Sequence, residues 1–129
     1  TQLSEAQLRD ELGRTADEIA SITGERPTLV RPPYGATNDT VGEIAAEEGQ
    51  AQVLWSIDTL DWQHHDPDKT IAAAAESTDG AIVLMHDIHA TTIDAVPGVI
   101  DALRGEGFTF VTVSELLGDP TPGARYGHG

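Results

Sequence analysis

The sequence predicts an α/β fold with a parallel sheet. Segments of helical periodicity alternate with short segments that are apolar at nearly every position, giving the order α-β-α-β-α-β-α-β-α. Continuously apolar strands are typical of a parallel sheet whose faces are covered by helices. The 129 residues suffice for one domain with a core, but a complete β/α barrel usually needs about 200 residues or more.

The first helix is predicted to begin after Ser4, which forms a capping box with Gln7, and to end at Gly24. A short strand over residues 28–31 follows, and Asn38 is placed to cap the second helix. The apolar residues of the first helix recur at helical spacing and predict one buried face: Leu8, Leu12, Ile19 and Ile22.

Residues 52–57 form the second predicted strand, and Asp66 is a cap followed by proline at the first position of a third helix. The remaining elements are a strand over 81–85, a helix over about 92–104, a strand over 108–113 and a short last turn capped by Ser114. These elements place the domain in residues 1–118. Residues 119–129 are rich in glycine and proline and are predicted to form a flexible tail with little to bury.

Charge and composition exclude several classes of function. The sequence has 22 acidic and seven basic residues, and its net charge of −15 argues against nucleic acid or an anionic membrane as a partner. The absence of cysteine excludes disulfides, a thiolate nucleophile and a cysteine-based metal site. No apolar run approaches the roughly 18–20 residues of a membrane span, and no signal-peptide pattern opens the sequence.

Three unusual clusters directly follow predicted strands: RPPYG at 31–35, DTLDW at 58–62 and HDIH at 86–89. The two prolines of RPPYG fix their own φ and keep the preceding residues extended, so that loop is predicted to be rigid. Reactive groups of parallel α/β folds lie beyond the carboxyl ends of the strands. We therefore expect all three clusters at one edge of the sheet, around a single cleft.

His86 ends the third predicted strand and has three interpretations. An isolated histidine often bonds only a backbone carbonyl, but at this edge the imidazole can act as a general acid if a carboxylate orients it. A metal site of His86, Asp87 and His89 would need a helical turn to converge, and this segment is predicted to be a strand end entering a loop. The adjacent His64 and His65 are interpreted as solvated loop residues.

The DTLDW loop has two interpretations that its residues leave open. Asp58 and Asp61 are ordinary turn formers, and Trp62 can fill the core. Alternatively, an acidic side chain orients His86 from the neighbouring strand, and the indole stacks on a sugar ring at the rim of the cleft.

Arg31 is the most informative single residue. A guanidinium followed by two prolines is unusual as a surface charge but suits a buried carboxylate. The sequence offers no aspartate that obviously fills this role.

RPPYG, DTLDW and LMHD, in this order and at these separations, resemble motifs three, four and five of the polysaccharide deacetylases, the NodB-homology family or carbohydrate esterase family four. The similarity covers roughly residues 3–118 and includes LSEAQLRDEL and GFTFVTVSELL. It implies that residues 1–118 are the C-terminal two-thirds of such a domain. The implied fold is a partial, distorted parallel β/α barrel that lacks its first strands in this chain.

The resemblance implies roles for individual residues. In the catalytic set, His86 would protonate the leaving amine, Asp61 would tune His86, and Arg31 would hold the catalytic-base aspartate. The backbone N–H of Tyr34 would help to form the oxyanion hole, in a loop kept stiff by Pro32 and Pro33. Trp62 and Leu84 would line the pocket for the acetyl group and the sugar.

The family's first motif, a TFDDG-like strand end, and its second, an HxxxH pair, are absent from these residues. The resemblance therefore implies a divalent metal, commonly zinc, whose ligands lie outside this chain on a missing or separate N-terminal fragment. The implied activity is metal-dependent removal of acetyl groups from chitin oligomers, peptidoglycan or xylan by a secreted or cell-surface protein. An inactive carbohydrate-binding remnant and a small-molecule amidohydrolase are the alternatives.

Overall fold

The computed structural model describes residues 2–129. Its helices are α1 (Glu5–Thr23), α2 (Asp39–Glu47), α3 (Asp61–His64), α4 (Pro67–Ala74), α5 (Ala90–Gly105) and α6 (Val113–Leu117), with a 3-10 turn at Pro33–Gly35. Its strands are β1 (Leu29–Val30), β2 (Ala51–Val53), β3 (Ile57–Asp58), β4 (Val83–Leu84) and β5 (Arg125–Tyr126). Within the described range, none of the helices has the length and apolar character needed to cross a membrane.

The chain divides into two compact units, and the first comprises the residues up to Leu54 together with Asp119–Tyr126. Its sheet has the order β1-β2-β5, and both pairings are parallel. Helix α2 contacts α1 and β2. The predicted buried face of α1 is wrong in the second half of the helix, because Ala16 is buried whereas Ile22 is exposed. The buried residues of α2 are Val41, Ile44 and Ala45.

The second unit comprises Trp55–Gly118 and Gly127–Gly129. Strands β3 and β4 pair in parallel, and α4 packs against α5. The parallel α/β class predicted from the sequence is therefore confirmed in both units. The core of this unit consists of Ala74, Val99 and Leu103, surrounded by Ile71, Val83, Met85 and Phe108.

Most predicted helix ends are confirmed, because they depend on local hydrogen bonds. Ser4 and Gln7 form the reciprocal capping box of α1, and Gly24 closes that helix in the left-handed conformation with φ 82°. Asn38 and Asp66 each accept a backbone N–H of the helix that follows them.

The strand predicted over residues 52–57 is wrong, since this segment contributes to two different sheets. The backbone N–H of Leu54 donates to the carbonyl of Tyr126 (2.8 Å), whereas that of Ser56 donates to Ile82 (3.0 Å). The chain thus changes its pairing partner within two residues. The segment is apolar on both sides of this point, so its composition does not indicate where one strand ends and the next begins.

The strand predicted over residues 108–113 is also wrong. Within the part of the chain that the structure describes, residues 108–112 belong to no strand, and Val113 begins α6. Thr112, rather than Ser114, is the N-cap and forms a capping box with Glu115. Aromatic and β-branched residues favour a strand only where a partner is present, while the capping box sets the helix start locally.

The tail over residues 119–129, predicted to carry no element, contributes β5. Beside the pairing of β5 with β2, the backbone N–H of Gln52 donates to the carbonyl of Ala124 (2.8 Å). Backbone pairing needs no apolar side chains, so the composition of the tail does not reveal it. The strand predicted over 81–85 is shortened to β4, with Ala81 in an isolated antiparallel bridge to His128.

Candidate active site

The second unit brings the DTLDW and HDIH clusters together at the carboxyl ends of its two strands. Asp61 follows β3 and His86 follows β4, and these strands are parallel neighbours. The expected juxtaposition of an acidic side chain and His86 is therefore present, with Oδ1 of Asp61 2.8 Å from Nδ1 of His86.

Asp61 is only 1% exposed and accepts four hydrogen bonds. Its Oδ1 accepts from the His86 ring and from the backbone N–H of Trp62 (2.9 Å). Its Oδ2 accepts from the backbone N–H of His86 (2.6 Å) and from the hydroxyl of Thr92 (2.7 Å). Because a carboxylate offers about four lone-pair sites, all acceptor positions of Asp61 are occupied.

Burial and hydrogen bonding act in opposite directions on Asp61. Desolvation is the largest single effect and raises the pKa, but the bonds from the His86 ring, Thr92 and the His86 backbone together lower it to about 2. Asp61 is therefore ionised at neutral pH. Next to a carboxylate the Nδ1 atom of His86 carries a proton, so the tautomer of this imidazole is set by Asp61.

The other ring nitrogen of His86 is available for chemistry. The side chain of His86 is 36% exposed, and among residues 2–129 no hydrogen bond is formed by its Nε2 atom. An imidazole that is oriented through Nδ1 by an ionised carboxylate and accessible at Nε2 can exchange a proton with a bound molecule.

Backbone and side-chain bonds fix the DTLDW loop that carries Asp61. The hydroxyl of Thr59 donates to the carbonyl of Leu84 (2.8 Å), which links the ends of β3 and β4. The side chain of Asp58 accepts the backbone N–H of Leu60 (3.0 Å). Leu60 itself has φ 54°, a left-handed conformation that costs a non-glycine residue on the order of 1 kcal/mol or more and persists only where the surroundings enforce it.

His64 is not the solvated residue predicted from the sequence. It is half-buried, with its Nε2 2.8 Å from the carbonyl oxygen of Thr59 and its Nδ1 accepting the backbone N–H of Asp66 (3.0 Å). His65 is exposed, and its ring lies 4.8 Å from that of His89 between centroids. The two backbone contacts of His64 therefore stabilise the DTLDW loop from its buried side.

Trp62 and Leu84, the two predicted pocket residues of this unit, differ in exposure. The Trp62 side chain adjoins Asp61 in sequence and is 50% exposed, whereas Leu84 is buried in β4. An exposed indole can stack on a ligand. Their assignment to an acetyl and sugar pocket stays a prediction.

Arg31 lies in the first unit, directly after β1. Its Nε donates to the carbonyl of Val53 and its Nη2 to that of Leu54, both at 3.2 Å. These carbonyls are at the carboxyl end of β2, so the guanidinium lies at that edge of its sheet. Partial burial lowers the pKa of Arg31, although an arginine remains charged at neutral pH.

The remaining predicted residues of the first unit form the turn after Arg31. Pro32 is extended, with φ −60° and ψ 130°, and its carbonyl accepts the backbone N–H of Gly35 (2.9 Å). Pro33 is exposed, and Tyr34 is fully exposed with φ 60°. The stiff turn is thus present, while its convergence with the other two clusters stays a prediction.

Within residues 2–129, no three histidine, aspartate or glutamate side chains are grouped so that they could hold a metal ion. This includes the set of His86, Asp87 and His89 considered from the sequence. The described residues therefore do not fit a metal centre by themselves.

Thr92 is a side-chain partner of Asp61 that the sequence did not indicate. It lies in the first turn of α5, 31 residues from Asp61, and is 2% exposed. A threonine near a helix start has many ordinary uses, so only the three-dimensional arrangement identifies this contact.

Comparison with known proteins gives consistent matches. A family model described as polysaccharide deacetylase matches residues 1–53. The peptidoglycan-N-acetylglucosamine deacetylase PgdA of Listeria monocytogenes is 40% identical over 120 residues, which is 92% of this chain and 25% of that protein. The chain thus spans about a quarter of the length of this curated relative.

Two solved structures are similar over nearly the whole chain. The structure of T48 deacetylase with substrate has a TM-score of 0.89 and 38% identity, covering 97% of this chain and 63% of the other. A mutant of BA3943 from Bacillus anthracis, a family 4 pseudoenzyme with restored enzymatic activity, has a TM-score of 0.85 and 32% identity, covering 92% of this chain and 44% of the other.

Proposed function

Because this chain belongs to the polysaccharide deacetylase family, we propose that it is the C-terminal part of a metal-dependent hydrolase that removes acetyl groups from a polysaccharide. The observation that carries the proposal is the contact between Asp61 and His86. Hydrolysis of an acetamide expels an amine that must gain a proton as the C–N bond breaks. A protonated His86 supplies this proton from Nε2, while Asp61 holds the ring through Nδ1.

The other predicted residues would support the same reaction. Tyr34 would donate its backbone N–H to the oxyanion that forms on the acetyl carbonyl, within the turn that contains Pro33. Arg31, already at the edge of its sheet, would hold the aspartate that serves as the base. Trp62 and Leu84 would line the pocket for the sugar and the acetyl group.

The metal would be a divalent ion, zinc by resemblance, with ligands from polypeptide outside these residues. This part of the proposal rests on the resemblance to the family, because the two motifs that would supply the ligands do not occur in these residues. When bound, such an ion polarises the acetyl carbonyl and activates water. A companion N-terminal fragment that contains a DD and an HxxxH would supply the ligands.

The proposed substrates are N-acetylglucosamine polymers such as chitin oligomers or peptidoglycan, with O-acetylated xylan as the ester counterpart. The name of PgdA supports the peptidoglycan assignment. Because these polymers are found in cell walls or outside the cell, we propose that the protein is secreted or lies on the cell surface.

Acetate release from acetylated oligosaccharides tests the proposal. The native assembly, with its companion polypeptide identified by intact-mass measurement, should release acetate with zinc or cobalt and lose this activity with a chelator. His86→Ala should lower kcat by about a hundredfold or more without loss of the fold, because it removes the general acid. Acetate release that is unaffected by chelator, or full activity of His86→Ala, would contradict the proposal.

A second candidate function is binding of carbohydrate without catalysis. It is favoured by the similarity to BA3943, described as a pseudoenzyme, and by the exposed rings of Tyr34 and Trp62. Retained binding of an oligosaccharide with no acetate release under any metal condition would support this alternative instead.

A further inference from the structure

We propose that Thr92 is a positioning residue that holds the Asp61 carboxylate in the orientation that presents Oδ1 to the ring of His86. This inference deepens the proposed function and rests on the role assigned there to His86. Thr92 would act through Asp61, without touching the substrate.

The four donors around Asp61 differ in where they come from. Three of them belong to the clusters themselves, namely the backbone N–H of Trp62 and both the backbone and the ring of His86. Thr92 is the fourth, and it reaches Asp61 from helix α5. The carboxylate is therefore tied to a helix that packs on α4, as well as to the two loops.

The hydroxyl of Thr92 donates to Asp61 and not to its own helix. Inside a helix, a threonine hydroxyl commonly bonds the carbonyl three or four residues earlier. Thr92 is the third residue of α5, and its hydroxyl donates instead to Oδ2 of Asp61 at 2.7 Å, while its backbone N–H bonds the carbonyl of His89 (3.0 Å). Both groups are buried, so the bond is protected from competing water.

Removal of the hydroxyl would have a specific consequence for His86. Oδ2 would retain only the backbone N–H of His86, and the carboxylate could turn about its last side-chain bond. The Oδ1 contact to Nδ1 would then be weaker, and the imidazole would lose orientation. A merely structural threonine would affect stability but would leave the His86 proton unchanged.

The test follows the Nδ1 proton of His86 by NMR in the full protein labelled with ¹⁵N-histidine. The signal is identified by its loss in His86→Gln. In Thr92→Val its exchange with water should be faster by about tenfold or more, the effect expected for loss of one hydrogen bond to a charged group. Thr92→Ser should restore the wild-type rate, and Thr91→Val, the same change one residue away on α5, should match wild type.

Three outcomes would overturn the proposal: an unchanged rate in folded Thr92→Val, no rescue in Thr92→Ser, or an equal effect in Thr91→Val. If circular dichroism shows that Thr92→Val does not fold, Thr92→Ala provides the same measurement with a smaller side chain. In acetate assays, kcat of Thr92→Val should fall about tenfold with KM within about twofold. A wild-type protein without activity would contradict the proposed function, while the proton exchange would still decide the role of Thr92.

Discussion

His64 and His86 lie in the same unit, and their ring nitrogens are used differently. Both nitrogens of His64 contact backbone groups, so this imidazole holds the DTLDW loop from within. His86 contacts Asp61 through Nδ1, its side chain is partly exposed, and its Nε2 forms no hydrogen bond among residues 2–129. Of these two residues, only His86 can pass a proton to a bound molecule without breaking a bond that holds the loop.

Asp61 should make the free energy of unfolding fall in acid. Its pKa of about 2 lies below the ordinary value of 3.8, so its charge stabilises the fold above the ordinary pKa. This contribution is lost as the pH falls toward 2 and corresponds to about 2 kcal/mol. Urea unfolding near neutral pH and at about pH 2.5 should therefore show a smaller loss of stability in Asp61→Asn than in wild type.

Asp101→Asn is a suitable control for this measurement, because it makes the same chemical change at an exposed site on α5. It should show the wild-type difference between the two pH values. If Asp61→Asn and wild type lose the same stability between the two pH values, the ionised form of Asp61 does not stabilise the fold.

At the scale of elements, the contact of α4 with α5 depends on a glycine. A Cβ atom added at Gly98 would lie 2.4 Å from Cδ1 of Ile71 and 3.1 Å from its Cγ1. The absence of a side chain at Gly98 therefore lets the two helices approach closely. At Gly105, the last residue of α5, an added Cβ would meet no atom within 4 Å.

Alanine should accordingly have opposite effects at these two glycines. Gly98→Ala should lower the free energy of unfolding by about 1 kcal/mol, since the steric cost exceeds the gain in helix propensity. Gly105→Ala should raise it by up to about 1 kcal/mol through propensity alone. Chemical denaturation measures both free energies of unfolding. In the double variant, Ile71→Val should offset part of the loss caused by Gly98→Ala, because it removes the Cδ1 atom that the added Cβ would meet. Stabilisation by Gly98→Ala would show that the helices have room at this point.

At the scale of the whole molecule, charge opposes the fold. The net charge is −15, and surface ion pairs such as Arg9 with Glu47 and Arg26 with Glu48 add little stability because water and salt screen them. Salt weakens these pairs but also screens the repulsion among 22 acidic residues, and we expect the second effect to be larger because only seven basic residues oppose those charges.

Stability should therefore increase with ionic strength. Urea unfolding at neutral pH should give a higher midpoint in about 0.5 M than in about 0.02 M sodium chloride, with a gain on the order of 1 kcal/mol. An uncharged solute at the same osmolarity serves as the control. A lower midpoint at high salt would show that the ion pairs outweigh the repulsion.

The sequence by itself determined the helix starts at Ser4, Asn38 and Asp66, because a cap joins groups only two or three residues apart. It also predicted that the DTLDW and HDIH clusters lie at one edge of the sheet, since both follow apolar strands, whereas Asp61 was assigned to His86 only by the family resemblance. Only the tertiary structure decided the strand partners, including the division of residues 52–57 and the pairing of β5. The same holds for the bond from Thr92, because its hydroxyl reaches a carboxylate 31 residues away and no local pattern encodes that contact.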